Sequence, residues 1–255
     1  MIKIQNRIAG VLYGLAAGDR IGGPLRMALC LSRSLIEKRG FDPENIFSTY
    51  SNWYHEAGFD TGPTAARVFN FVAQGMSIKE AVIRVDQRAQ GMTAGCNPMH
   101  RAIVLACYMD IPENELLNIA RQEAKLTHYH HLAGDVSATT VLLCRKLING
   151  ESLETVLNEF DTQDWLNRSI SRGGFAPDVF ATTIHFLRSG HDFQTVLANA
   201  LDFAGGANYS PVTVGALAGA ICGVDAIAPR ILSHCKILSQ VESVATYFAT
   251  LSDKK

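Results

Sequence analysis

Along the chain, stretches in which apolar residues recur every three or four positions alternate with short islands of glycine and polar residues. Ala65, Val68, Phe69 and Val72 form one apolar stripe and Leu116, Ala120 and Ala124 another, the spacing of a helix with one buried face. Strict apolar–polar alternation, which would mark a half-buried strand, is essentially absent. Ser77-Ile-Lys-Glu80 and Ser239-Gln-Val-Glu242 have the capping-box pattern, a hydroxyl and a carboxylate placed to satisfy first-turn amides, so each predicts a helix start. Pro112, Pro177 and Pro211 fall where a first turn tolerates a missing N–H, and Gly40, Gly75, Gly150 and Gly190 fall just past periodic runs. The pattern predicts about ten to twelve helices with short connections. No Pro/Ser-rich linker, charge block or low-complexity tract divides them. The expected fold is all-α, a single compact multi-helix domain over 1–255.

Two of the predicted helices carry small residues at a fixed interval: Gly10, Gly14 and Gly18 in one, Gly215, Gly219 and Gly223 in the other. Such stripes let two backbones approach closely and predict a pair of central helices. The segments just beyond them, Gly18 to Pro24 and Ala204 to Pro211, would then meet in the middle of the molecule. Both are rich in glycine and polar groups, as loops that approach a ligand must be.

Composition narrows the function classes. With 23 basic and 24 acidic residues, a net charge of −1 and 18% charged residues, the chain has neither the profile of a disordered protein nor that of a general nucleic-acid binder or a polybasic membrane-surface protein. No segment reaches the ~18 consecutive apolar residues of a membrane span. The longest candidate, Val212 to Ala228, contains Asp225 and three glycines. The apolar run Ile8 to Ala17 is flanked only by Lys3 and Arg7 and is crossed by the glycine stripe, which favours a packed helix over a targeting signal. Six scattered cysteines without CxxC or CxxxC spacing read as reduced thiols, and a cytoplasmic setting is expected.

Chemistry can sit in five polar islands: Gly18 to Arg20, Gly58 to Thr64, Thr93 to Pro98, Thr127 to His131, and 204–211. Each has a plain structural reading beside a functional one. Asp60-Thr61-Gly62-Pro63-Thr64 is a good helix N-terminus, whose carboxylate serves as a cap or as a reactive group. His128, His130 and His131 form a solvated loop or a zinc-ligand cluster, but no second cluster with ligand spacing supports zinc. Cys96 and His100 have the spacing of a nucleophile and its base on a helix, without a third orienting group.

Taken together and in order, the islands resemble those of the ADP-ribosylglycohydrolase family. The resemblance spans nearly the whole chain. Gly18-Asp19-Arg20-Ile21-Gly22-Gly23-Pro24-Leu25-Arg26 is similar to the family's GDxxGxxxE. Gly58-Phe59-Asp60-Thr61 stands at its TDDT, and Ala94-Gly95-Cys96-Asn97-Pro98-Met99-His100-Arg101 at its GNGxxMR turn. Leu126-Thr127-His128 is identical to its LTH element, and Gly205-Gly206-Ala207-Asn208-Tyr209-Ser210 stands at its GGDxDTxxA segment, running into Gly215-Ala216-Leu217-Ala218-Gly219-Ala220. The resemblance implies an all-α hydrolase that cleaves a glycosidic bond to ribose in ADP-ribosylated or related nucleoside-type substrates. It also implies two magnesium or manganese ions held by the TDDT and GGDxDT residues, with the LTH histidine and the Gly-rich turn bordering ADP-ribose.

The departures are informative. TDDT keeps only Asp60 and Thr61; the last motif carries Asn208, Tyr209 and Ser210 in place of its Asp and Thr; the Glu of the first motif is Arg26. Two adjacent divalent cations need several carboxylates, so the usual dinuclear site looks lost, with Asp60 and Thr61 the remaining metal ligands if any. The expected activity is hydrolysis with reduced or no metal dependence, the alternative being a non-catalytic ADP-ribose or nucleotide binder. Asp60 or Asp135 is a candidate general base and His128 a candidate acid. Asp19, Arg26, Thr61, Gly95, Asn97, His100, Arg101, Asn208 and Tyr209 are candidate substrate-binding residues, Arg26 because guanidinium grips pyrophosphate without a metal. Asp19 and Asp135 read equally as helix-end or ion-pair residues. The expected partner is a small molecule or an ADP-ribosylated protein, with no nucleic acid and no membrane; the sequence leaves oligomeric state open.

Overall fold

The two glycine stripes do face each other. In the computed structural model, which describes residues 2–159 and 164–252, α1 (Ile4–Gly18) and α12 (Ser210–Cys222) run backbone against backbone. A Cβ added to Gly10, Gly14 or Gly18 would overlap the carbonyls of Gly219, Gly215 and Pro211, and one added to Gly215 or Gly219 would overlap Gly14 or Gly10. The apolar faces of this pair, including Ile8, Leu12, Leu15, Val212 and Leu217, are fully buried and form the centre of the core.

The described residues form thirteen α-helices with a few 3₁₀ turns and no strand. After α1 come α2 (Gly23–Lys38), α3 (Pro43–Ala57), α4 (Pro63–Ala73), α5 (Ile78–Arg88) and the short α6 (Asn97–Ala102). The second half holds α7 (Glu113–Ala124), α8 (His131–Ile148), α9 (Leu153–Asn158), α10 (Ala176–Arg188), α11 (Phe193–Ala204), α12 and α13 (Leu238–Ser252). The all-α expectation is met. The count slightly exceeds the one expected because α6 and α9 are only 6 residues each, too short to show a periodic stripe.

Local chemistry explains most boundaries. Ser77 and Glu80 make the predicted capping box at α5, and Pro177 and Pro211 sit in the first turns of α10 and α12. Ser239 does not cap: α13 starts one residue earlier, at Leu238, so Ser239 lies inside the first turn. Gly75 and Gly150 follow their helices at φ 97° and 94°, where a side chain would be strained. Among the described residues no helix is long and apolar enough to cross a membrane, and all six cysteines are free.

Candidate active site

Because α1 and α12 pair so closely, the end of one and the start of the other are brought together. Asp19, at the C-terminus of α1, is buried and turns its carboxylate onto α2. Its Oδ1 accepts from the Gly22 amide (2.6 Å) and its Oδ2 from the Leu25 amide (2.7 Å), so it satisfies donors that helix α2 leaves unpaired. Asn208, two residues before α12, reaches the same carboxylate. Its Nδ2 donates to Asp19 Oδ1 and to Asp60 Oδ2, both at 2.8 Å, while its Oδ1 accepts from the Arg20 amide (3.2 Å). The Arg20 N–H fixes which way the carboxamide faces: its oxygen must meet a donor there, so its NH₂ spans the two carboxylates.

Asp60 lies in the turn between α3 and α4 at φ 52°, a left-handed conformation that Asp tolerates better than most residues. Gly62 follows at φ 74°, and a Cβ there would stand 2.9 Å from Asn97 Nδ2. Asn97 donates from that atom to the Thr61 carbonyl (2.6 Å), which ties the start of α6 to the Asp60 turn. Asp60 is half-buried. Burial raises its carboxyl above the usual carboxylate value, the Asn208 hydrogen bond opposes the rise, and the nearby Asp19 charge adds to it. Its second oxygen bonds no protein group among the described residues, whereas Oδ2 is held by Asn208.

Next to this cluster opens a cleft of about 560 Å³. Gly62 to Thr64 at the start of α4 form one wall; Ala94, Gly95 and Asn97 form another, with His128, His130, Phe175 and Tyr209 around the rest. Its floor is a short antiparallel contact: the Cys96 amide bonds the Gly174 carbonyl (3.0 Å) and the Ala176 amide the Ala94 carbonyl (2.9 Å). Gly95 leaves room for His128, whose Nε2 would lie 3.2 Å from a Cβ at that position. The rings of Tyr209 and Phe175 are more than a third exposed and give the cleft two aromatic surfaces.

The sequence-predicted residues therefore divide into three groups. Gly95, Asn97, His128 and Tyr209 line the cleft. Asp60, Asn208, Asp19 and Thr61 stand beside it, the last buried with its carbonyl engaged by Asn97. The rest lie elsewhere. Asp135 forms an exposed ion pair with Arg121 (2.7 Å) and is outside the cleft, correcting its assignment as a catalytic base. Arg101 is not at the cleft surface but fully buried, bound to Glu123 (2.6 Å) and lying over the Tyr50 ring; its own charge partner lies in the core. Arg26 donates to the Gly22 carbonyl (3.0 Å) and stacks on Phe59, 5.0 Å from its centroid, so its guanidinium is occupied by its own neighbourhood and not aimed into the cleft.

Two assigned chemistries are also corrected. His100 is buried behind the cleft. Burial holds its imidazole down to about 3, against the backbone of Tyr209, and Nε2 has no partner among the described residues. Burial likewise pushes the Cys96 thiol up to about 12, so the Cys96–His100 pair offers neither a thiolate nor a solvent-accessible base. His128 is held down to about 3 by burial, reinforced by Arg101, so it is neutral at physiological pH and is a poor proton donor for a leaving group. Sequence reasoning reached His130 only as part of the histidine cluster and left out Gly174 and Phe175, which had no signal because only the pairing with 94–96 brings them here.

The same geometry tests the implied metals. The carboxylates of Asp19 and Asp60 face an amide NH₂, and Asp19 already accepts three N–H bonds. Among the described residues no three or more His, Cys, Asp or Glu side chains gather as a cation would require. This donor set does not fit two hard divalent cations, which need a surplus of oxygen ligands and negative charge.

Comparison with known proteins identifies relatives of this chain. A curated ADP-ribosyl-[dinitrogen reductase] glycohydrolase of Rhodospirillum rubrum is 24% identical over 274 residues, which cover 91% of this chain and 90% of that protein. A solved structure described as an ADP-ribosylglycohydrolase-related protein complex superposes with a TM-score of 0.82 at 25% identity, over 99% of this chain and 100% of the other. The sequence matches the ADP-ribosylglycohydrolase family over residues 25–255, and the chain belongs to that family.

Proposed function

We propose that the protein hydrolyses a glycosidic bond at the ribose of an ADP-ribosylated substrate, with Asp60 as its working carboxylate and without a metal pair. The observation that carries this reading is the Asp60 carboxyl beside the cleft: one oxygen is clamped by Asn208, the other has no protein partner among the described residues, and burial raises its proton affinity. A carboxylate so placed takes a proton from water as the water oxygen bonds to the ribose anomeric carbon. The glycosidic bond breaks with its electron pair on the leaving group, which takes the proton from the carboxyl. The remaining negative charge of the site stabilises an oxocarbenium-like transition state. The cleft supplies the rest: Tyr209 and Phe175 offer faces for a purine, and Asn97 and the Gly95 backbone offer polar contacts.

The Asn208 amide supports metal independence. It places two N–H donors where the two carboxylates converge and so offsets their negative charge with a neutral group. Release of ADP-ribose from an ADP-ribosylated protein or peptide, followed in EDTA and in magnesium, tests both parts. Equal rates are expected, and Asp60→Asn should abolish turnover while ADP-ribose affinity stays within a few-fold. Turnover only with magnesium would overturn metal independence; unchanged turnover in Asp60→Asn would remove Asp60 from the reaction. ADP-ribose binding with no turnover by the wild-type protein favours the second reading, a non-catalytic binder, which the missing motif carboxylates at 59 and 208–210 make chemically reasonable.

A further inference from the structure

Behind the cleft runs a continuous buried chain of polar groups that the proposed reaction does not use. The Tyr50 hydroxyl donates to Glu123 Oε1 (2.8 Å), and Arg101 Nε donates to the same oxygen (2.6 Å). Arg101 Nη2 donates to Thr127 Oγ1 (2.8 Å), and Thr127 Oγ1 lies 2.8 Å from His128 Nδ1. Glu123, Arg101 and Thr127 are each fully buried. The chain joins α3, α6, α7 and the turn before α8, and it ends on the one ring whose Nε2 edge faces the cleft across Gly95.

Arg101 fixes the direction of the protons on the His128 side of this chain. A guanidinium has donors and no acceptor, so at Arg101 the Thr127 oxygen must accept. The Thr127 hydroxyl proton then has one acceptor among the described residues, the Nδ1 lone pair of His128. The opposite tautomer would leave a hydroxyl proton unpaired in a fully buried place, a costly arrangement. His130 repeats the pattern by simpler means: its Nδ1 accepts from the Leu132 amide (3.2 Å) as the cap of α8, which leaves its proton on Nε2. Around the His128 ring stand Arg101 and Thr127 behind, Gly95 in front, and His130 and Tyr209 along the cleft wall; among the described residues no carboxylate bonds it.

We propose that Glu123, Arg101 and Thr127 are positioning residues that lock His128 as the neutral Nε2–H tautomer, making it a fixed hydrogen-bond donor to an acceptor oxygen of the bound ligand. This assignment rests on the reading of the cleft as an ADP-ribose site for the identity of the acceptor, but the tautomer itself does not. A locked neutral donor suits a phosphate or ribose oxygen and remains in place through catalysis, because it neither gains nor loses a proton.

Nitrogen-15 NMR of the histidine rings in the full-length protein, between about pH 5 and 8, reads the tautomer directly without ligand or turnover. The expected result is an Nε2–H signal for His128 that does not titrate, lost to tautomer exchange in Thr127→Val and kept in Thr127→Ser. An Nδ1–H signal, or a titrating imidazolium, in the wild-type protein overturns the proposal even if neither variant folds. With ADP-ribose as probe, Thr127→Val should weaken binding by about two- to tenfold and Thr127→Ser should restore it; equal affinity in all three overturns the donor role. Absence of ADP-ribose binding to wild-type protein that shows the Nε2–H signal would instead refute the functional reading and leave the tautomer standing.

Discussion

At the scale of single residues, the Asn208 carboxamide decides how two carboxylates coexist near the cleft. Asn208→Ala would leave Asp19 and Asp60 facing each other without their shared donor, an expected loss of about 1–3 kcal/mol in a denaturant titration. Asn208→Asp should do something different: three carboxylates would then converge, and calcium or magnesium should raise the thermal midpoint of this variant but not that of the wild type. The buried histidines add a pH dependence with a definite sign. Unfolded His100 and His128 take up protons near 6.5, whereas in the fold each is held down to about 3. Between those values the unfolded state binds more protons, so the stability these groups contribute is complete above pH 6.5 and is lost as pH falls toward 3. Urea midpoints measured from pH 7 to 4 should fall, with about 2–3 kcal/mol lost per histidine, and His100→Gln should flatten the curve. An unchanged slope in that variant would show that other groups govern the acid limb.

At the scale of elements, the crossing of α1 and α12 is the contact on which the site depends, because it alone brings Arg20 and Asp19 to Asn208. Gly14→Ala or Gly219→Ala would drive a methyl group into a backbone carbonyl that cannot move aside, and a loss of more than about 3 kcal/mol is expected. Gly40→Ala is the matched control: nothing stands within 4 Å of its added Cβ, and thermal denaturation should barely change. The Glu123–Arg101 pair joins α7 to α6 in the same way. Glu123→Ala leaves a fully buried guanidinium without its charge partner and should cost about 3–5 kcal/mol, while Asp135→Asn, at an exposed pair, should cost under about 1 kcal/mol. These contrasts separate a buried ion pair from an exposed one.

At the scale of the whole molecule, the thirteen helices of the described residues hold four of the five polar islands around one cleft, while Arg26, Arg101 and Asp135 are turned away from it. The cleft is not the largest depression: a groove of about 650 Å³ runs between α1 and α13, lined chiefly by apolar residues such as Tyr13, Leu238 and Ala245. Chemistry and not volume distinguishes the two, since only the smaller one collects imidazole, amide and aromatic groups beside a half-buried carboxylate.

The sequence by itself determined the helical character of the chain, the meeting of its two glycine-striped helices, and the loss of carboxylates at 58–59 and 208–210. Those properties follow from residue type and spacing: glycine every four residues permits backbone contact wherever it occurs, and a missing carboxylate is missing in any fold. Side-chain direction was decided only by tertiary structure. Arg101, Asp135 and Arg26 have the residue types of a ligand site, yet one pairs with Glu123 in the core, one with Arg121 at the surface and one stacks on Phe59. His130, Gly174 and Phe175 entered the site by the converse route, through a helix cap and a three-residue backbone pairing with 94–96. A helical period states which residues share a face; which face meets which neighbour is settled by long-range packing, and the same packing sets burial, tautomer and proton affinity.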